Sequence, residues 1–155
     1  MLPYIQITKA LDTATVLFRR QYKLNKKKHK YKMRRRTYHF AFIFRRKRII
    51  AIGINKPHEF DSRTQYFGFR YNIPKYKEYC HAHAEVDALS KCWGKTIIDS
   101  NHTMIVVRLN SKGQLCDSKP CNDCQKIINQ ITMKQIWWSN KDGTFECSNK
   151  KCLTI

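Results

Sequence analysis

Acidic residues are scarce in this chain: 11 Asp and Glu stand against 31 Lys and Arg in 155 residues, for a formal charge of +20. Between Thr13 and His58 there is none, while that interval holds "RRQYKLNKKKHKYKMRRR" and "RRKR". Such a field attracts polyanions, whether nucleic acid or a phosphorylated small substrate. Excess positive charge also produces adhesion to nucleic acid without a dedicated site. Long apolar runs are missing too. No stretch approaches the roughly 18 residues that span a bilayer, which argues against integral membrane association. The start, "MLPYIQITKALDTATVLF", lacks the basic head, apolar centre and cleavage site of a signal peptide. Seven cysteines, an odd number at irregular spacing, do not form a secreted disulfide framework. A reducing intracellular compartment, such as the cytoplasm, is the expected location.

The length suits one domain with a single core. Residues 1–37 read as an N-terminal helix and basic tract, and 38–155 as the body that the helix joins. Apolar positions at Leu11, Ala14, Val16, Leu17, Tyr22 and Leu24 predict a helix over 11–24. Residues 25–37 read as its solvent-facing extension or a mobile segment. "YHFAFIF" and "RIIAIGIN" predict an antiparallel hairpin across "RRKR". Residues 56–80 show no sustained period and read as a long loop. A helix begins near His83 and stops at Gly94. "TMIVVRL" reads as a strand, "PCNDCQKIINQI" as a helix with Pro120 at its start, and "KQIWWS" and "TFECS" as strands about an "NKDG" turn. The expected fold is α/β, a five-stranded mixed sheet covered by helices on both faces.

Two stretches carry chemistry. "CHAHAE" places Cys80, His81, His83 and Glu85 at a helix start, and "PCNDC" puts Cys121 and Cys124 on one helical face. Two thiolates and one imidazole suit zinc, and three protein ligands leave a fourth position for water. Helix N-termini favour the thiolate forms. Glu85 sits where it could handle protons rather than bind metal. The alternative is a closed structural site with Cys80 or His81 as fourth ligand.

"HAE" (His83–Glu85) followed by Pro120–Cys124 resembles the signature of zinc-dependent cytidine, deoxycytidylate and nucleic-acid deaminases, and the element order from about Tyr38 to Glu146 is similar to theirs. The resemblance implies a cytidine-deaminase-like three-layer fold with Zn2+ held by His83, Cys121 and Cys124. It implies that Glu85 protonates the pyrimidine at N3 and shuttles protons to the departing amine while a zinc-activated water attacks C4. The backbone near Ala84 and the side chain of Asn55 would orient base and sugar; a turn role is the alternative for Asn55. Cys80 and His81 have no role in that pattern, beyond a second metal or the pocket rim.

A small cytosine nucleotide or nucleoside is the expected substrate, with single-stranded DNA or RNA as the alternative and a non-catalytic zinc-stabilised nucleic-acid module as a third reading. Candidate nucleic-acid contacts are Arg34, Arg35, Arg36, Arg45, Arg46 and Arg48, with Tyr66, Phe67, Phe69, Tyr71 and Trp138 as stacking candidates. The resemblance also implies a homo-oligomer, and its texture is closest to phage or large-virus deaminases, which would place the protein in an infected host cell.

Overall fold

The computed structural model describes residues 2–28, 37–78, 81–148 and 152–154. In chain order these form α1 (Leu2–Lys28), β1 (Thr37–Arg45), β2 (Arg48–Ile54), β3 (Lys56–Phe60), α2 (Ser62–Arg70), α3 (Pro74–Glu78), β4 (His81–Ala82) and α4 (Ala84–Cys92). They continue as β5 (His102–Asn110), β6 (Leu115–Cys116), α5 (Asn122–Asn129), β7 (Gln135–Ser139), β8 (Thr144–Cys147) and β9 (Cys152–Thr154).

Alternation along β1 builds the layers. Phe40, Phe42 and Phe44 point to one face, where they pack with Ile7, Ala10 and Ala14 of α1 and with Ile105, Trp137 and Phe145. Ala41 and Ile43 point to the other, against Ala84, Ala88 and Leu89 of α4, Ile127 and Ile128 of α5, and Phe67 and Tyr76. The sheet runs β2-β1-β5-β7-β8-β9, with β6 paired to β5. Only β5 and β7 are parallel; the other pairings in it are antiparallel. The three-layer mixed sheet is as expected, and β6 and β9 extend it beyond the five expected strands.

Two expectations are corrected. The first helix is not confined to 11–24: it starts at Leu2 and buries Gln6, Ile7, Ala10 and Ala14, whereas Val16, Tyr22 and Leu24 are exposed. Small Ala10 and Ala14 let the helix lie close to the sheet, and the Gln6 side chain donates to the Arg46 carbonyl at the hairpin tip. Asn25–Lys28 belong to this helix; the rest of the basic tract, with Arg34, Arg35 and Arg36, lies outside the described residues. The segment 56–78 is not a loop. It forms β3, α2 and α3, with Asp61 capping α2 through the Arg63 N–H at 2.9 Å and Gly68 in contact with the backbone of Tyr76. A Cβ at Gly68 would fall 2.7 Å from the Tyr76 carbonyl carbon, so the glycine allows the two helices to meet.

Candidate metal and active site

Two helix starts converge on one face of the sheet. His83 is the N-cap of α4 and Cys121 the N-cap of α5, both in extended backbone conformation, with Cys124 in the first turn of α5. Nδ1 of His83 lies 3.5 Å from Sγ of Cys121 and 3.5 Å from Sγ of Cys124. Among the described residues these three form the group able to hold a metal. Zinc bound tetrahedrally at about 2.3 Å from sulfur and about 2.05 Å from nitrogen requires an N···S separation of roughly 3.6 Å. The donor set therefore fits zinc with little movement.

Protons are shared within the cluster. Hydrogen bonding from Cys124, helped by His83, draws the Cys121 thiol down to about 3 against the opposing effect of burial. Cys124 is pushed well above the usual thiol range by its partnership with Cys121 and by burial. His83 is raised, chiefly by its contact with Cys121. The hydroxyl of Tyr76, on α3, lies 3.1 Å from Sγ of Cys124 and 4.0 Å from Sγ of Cys121. Burial and then the Cys124 charge raise the Tyr76 pKa, so the phenol keeps its proton and is the donor whenever Cys124 is a thiolate, as metal binding requires.

Glu85, in the first turn of α4, is 1 % exposed, and its Oε2 has no hydrogen-bond partner among the described residues. A buried carboxylate oxygen left unpaired is costly in a purely structural role. It lies close enough to act electrostatically on His39, His83, Cys124 and Tyr76.

Backbone packing fixes this turn. A Cβ at Gly53 of β2 would lie 1.8 Å from the Ala84 carbonyl oxygen and 2.5 Å from the Ala88 nitrogen. Glycine thus lets α4 rest directly on the strand. Fully buried Asp87 accepts from the Ile54 N–H at 2.9 Å and pairs with Lys91 at 2.7 Å, while Lys91 also donates to the Ile52 carbonyl. These bonds tie the end of β2, and hence Asn55, to the helix that carries Glu85. The Asn55 N–H donates to the His39 carbonyl at 3.1 Å, and its side-chain amide makes no hydrogen bond among the described residues. Ala84 is buried at the start of α4, where helix amides lack internal acceptors.

The second ligand loop is pinned from the sheet. Ser118 Oγ donates to the Val106 carbonyl at 2.8 Å and accepts from the Ser139 N–H at 2.8 Å, which holds residues 117–121 over β5 and β7.

His39 and Arg108 join the site although sequence patterning did not single them out. They are register partners on β1 and β5, on the face that carries Ala41 and Val106. Burial lowers the His39 pKa, and the charges of Glu85, Arg108, His83 and Cys121 act on it. His39 Nε2 has no partner among the described residues. A polar residue on the inward face of "YHFAFIF", and another in "TMIVVRL", was the available signal; Tyr76 carried none.

Other candidates lie elsewhere. His81 is exposed on β4 and outside the ligand cluster, so it does not close the site as a fourth ligand. Cys80 lies outside the described residues. Arg45, Arg46 and Arg48 are exposed at the hairpin tip, the opposite end of β1 and β2 from His39 and Asn55. Trp137 is core, and Trp138 sits on the metal face beneath Lys119, 5.6 Å from its ring.

A family model for the cytidine and deoxycytidylate deaminase zinc-binding region matches residues 16–140. The chain belongs to this family. The deaminase shares with it the sheet flanked by helices, and zinc is its cofactor, in keeping with the His83, Cys121 and Cys124 cluster. No individual curated protein and no solved structure matches it significantly. Among the described residues no helix is long and apolar enough to cross a membrane.

Proposed function

We propose that this zinc-dependent deaminase hydrolyses the exocyclic amine of cytosine in a small nucleotide or nucleoside, yielding uracil and ammonia. The observation that carries the reading is the buried Oε2 of Glu85, which has no hydrogen-bond partner among the described residues and lies in the helix turn capped by His83. Zinc, when bound by His83, Cys121 and Cys124, lowers the pKa of a water so that it can attack near neutral pH. Glu85 takes the proton released in that attack, delivers one to N3 of the ring, and passes another to the leaving amine. The Ala84 backbone orients the base, and the Asn55 side chain holds the sugar hydroxyl. His39 closes the wall between them and keeps bulk water from the ring. Arg108, cross-strand from His39 and with its guanidinium 3.5 Å from the Asp117 carbonyl and 3.3 Å from Thr37 Oγ1, is the cation we assign to a substrate phosphate, which favours a phosphate-bearing substrate over an uncharged nucleoside.

The test is product formation by mass spectrometry with zinc-loaded protein on cytidine, deoxycytidine, their monophosphates, adenosine, single-stranded DNA and RNA. Activity on a monophosphate, at least tenfold reduced in Arg108→Ala and abolished in Glu85→Ala with zinc content retained, is the expected result. Undiminished turnover by Glu85→Ala sinks its proton role. Turnover confined to oligonucleotides replaces the small substrate by a polymer.

A further inference from the structure

At the far end of α4 from the ligands, a cavity of about 410 Å³ opens between α2 and α4, lined in part by Arg63, Tyr66, Phe67, Lys91, Trp93 and Lys95. Eight residues of helix rise, roughly 12 Å, separate Glu85 from Trp93, so this is a different place from the metal centre. We propose that the cavity is a binding site for single-stranded nucleic acid. This inference concerns binding alone and stands apart from the reaction proposed above.

The rings are ordered yet open. Trp93 is held edge-on by Tyr66 at 5.3 Å and by Phe67 at 5.6 Å between ring centroids, and the Arg70 guanidinium lies 4.8 Å from the Trp93 centroid. Even so, Trp93 and Tyr66 are each 47 % exposed. Rings fixed by their neighbours but half open to solvent are platforms for unpaired bases, and stacking on them is sequence-tolerant. Arg63, Tyr66 and Arg70 share one face of α2 by helical spacing, with Phe69 beside them at 63 % exposure.

The rim is cationic. Arg63 and Lys91 pair with Asp61 and Asp87, which are both buried, whereas Lys95 and Arg70 have no ion pair among the described residues. Arg63, Lys91 and Lys95 line the cavity and Arg70 stacks on Trp93, in a chain whose formal charge is +20. Several cations at one site favour a polymer of phosphates over a single nucleotide, since counterion release grows with the number of phosphates engaged. A second copy of the chain is disfavoured here. A two-fold contact would set Arg63, Arg70 and Lys95 against their own equivalents.

Fluorescence anisotropy with zinc-loaded full-length protein and a labelled 12-nucleotide oligothymidylate, across a salt series, tests the site. Trp93→Ala is expected to weaken binding by about tenfold or more at roughly 0.15 M salt, as lost stacking requires. Lys95→Ala is expected to lower the salt slope by about one. Deamination of a free nucleotide should be unchanged in both. Tyr66→Ala, further from the helix cap, must reproduce the loss if Trp93→Ala unfolds. Parental affinity and slope in all three variants overturns the site. So does equal affinity for a duplex of the same length, or variants that lower self-association in sedimentation while leaving oligonucleotide binding intact.

Discussion

Removing one oxygen atom from Tyr76 tests how the zinc ligands are held. Phe preserves the buried ring and its packing in the core under α4 and α5, so Tyr76→Phe deletes only the donor 3.1 Å from Sγ of Cys124. A hydrogen bond to a charged acceptor is worth about 1.5–3 kcal/mol, and about 1.4 kcal/mol is a factor of ten. Zinc affinity should therefore fall by roughly 10- to 100-fold, in the range for partners of metal ligands in other sites. Sulfur is a softer acceptor than oxygen, which favours the lower half of that range. Competition against a chelator of known affinity, with free zinc buffered, measures the constant directly. Circular dichroism under zinc saturation controls for folding. An affinity within twofold of the parent protein refutes the reasoning, because it means that the hydroxyl serves the sulfur no better with metal bound than without it.

Other perturbations probe the support of the site. Gly53→Ala drives a methyl into the Ala84 carbonyl; it should cost about 3 kcal/mol in urea unfolding and lower turnover more than substrate affinity, as Glu85 moves with the turn. Asp87→Ala leaves the Ile54 N–H and Lys91 without their shared partner and should cost about 3 kcal/mol, read as a shift of the urea midpoint at constant slope. His39→Phe should flatten the acid limb of stability. The folded pKa of His39 is held down, mainly by burial, so below roughly pH 6.5 the unfolded chain binds the extra proton and native stability falls with pH. Thermal midpoints between pH 5 and 7 should drop less steeply in the variant, and equal slopes count against a neutral, buried imidazole.

Much of this was legible in residue order. The strands β1, β2, β5 and β7 announce themselves because apolar and β-branched residues fill them, and the helix starts at His83 and Cys121 follow from local pattern and from Pro120. The segment 56–78 did not. Its α2 buries only Thr64, Phe67 and Gly68, too few residues to impose a helical period, and Gly68 is a poor helix former chosen for its contact with Tyr76. The start of α1 was hidden for a related reason: its buried stripe is Gln6, Ile7, Ala10 and Ala14, more small and polar than a hydrophobic pattern expects. Two- and three-residue strands such as β6 and β9 hold no alternation to read. In the site, spacing indicated a Cys and His donor set, and the resemblance to the deaminase signature selected His83 over His81 and Cys80, but Tyr76 and Arg108 come from parts of the chain whose proximity only tertiary pairing creates.

That pairing bears on how the protein acquires its chemistry. β1 bonds to its hairpin partner β2 nearby in sequence, yet its other neighbour is β5, with Thr37 opposite Asn110 and Arg45 opposite His102. Closing such a loop carries an entropic cost that is recovered only when the central strands and their covering helices are all in place. The ligands themselves straddle β5, His83 before it and Cys121 and Cys124 after it. No contiguous fragment on either side of β5 contains the site, and neither half can bind zinc with the affinity of the whole. Metal affinity in this deaminase is consequently linked to the folding equilibrium of the entire sheet, and a substitution far from zinc that loosens β1 against β5 will register as a weaker metal site before it registers as an unfolded protein.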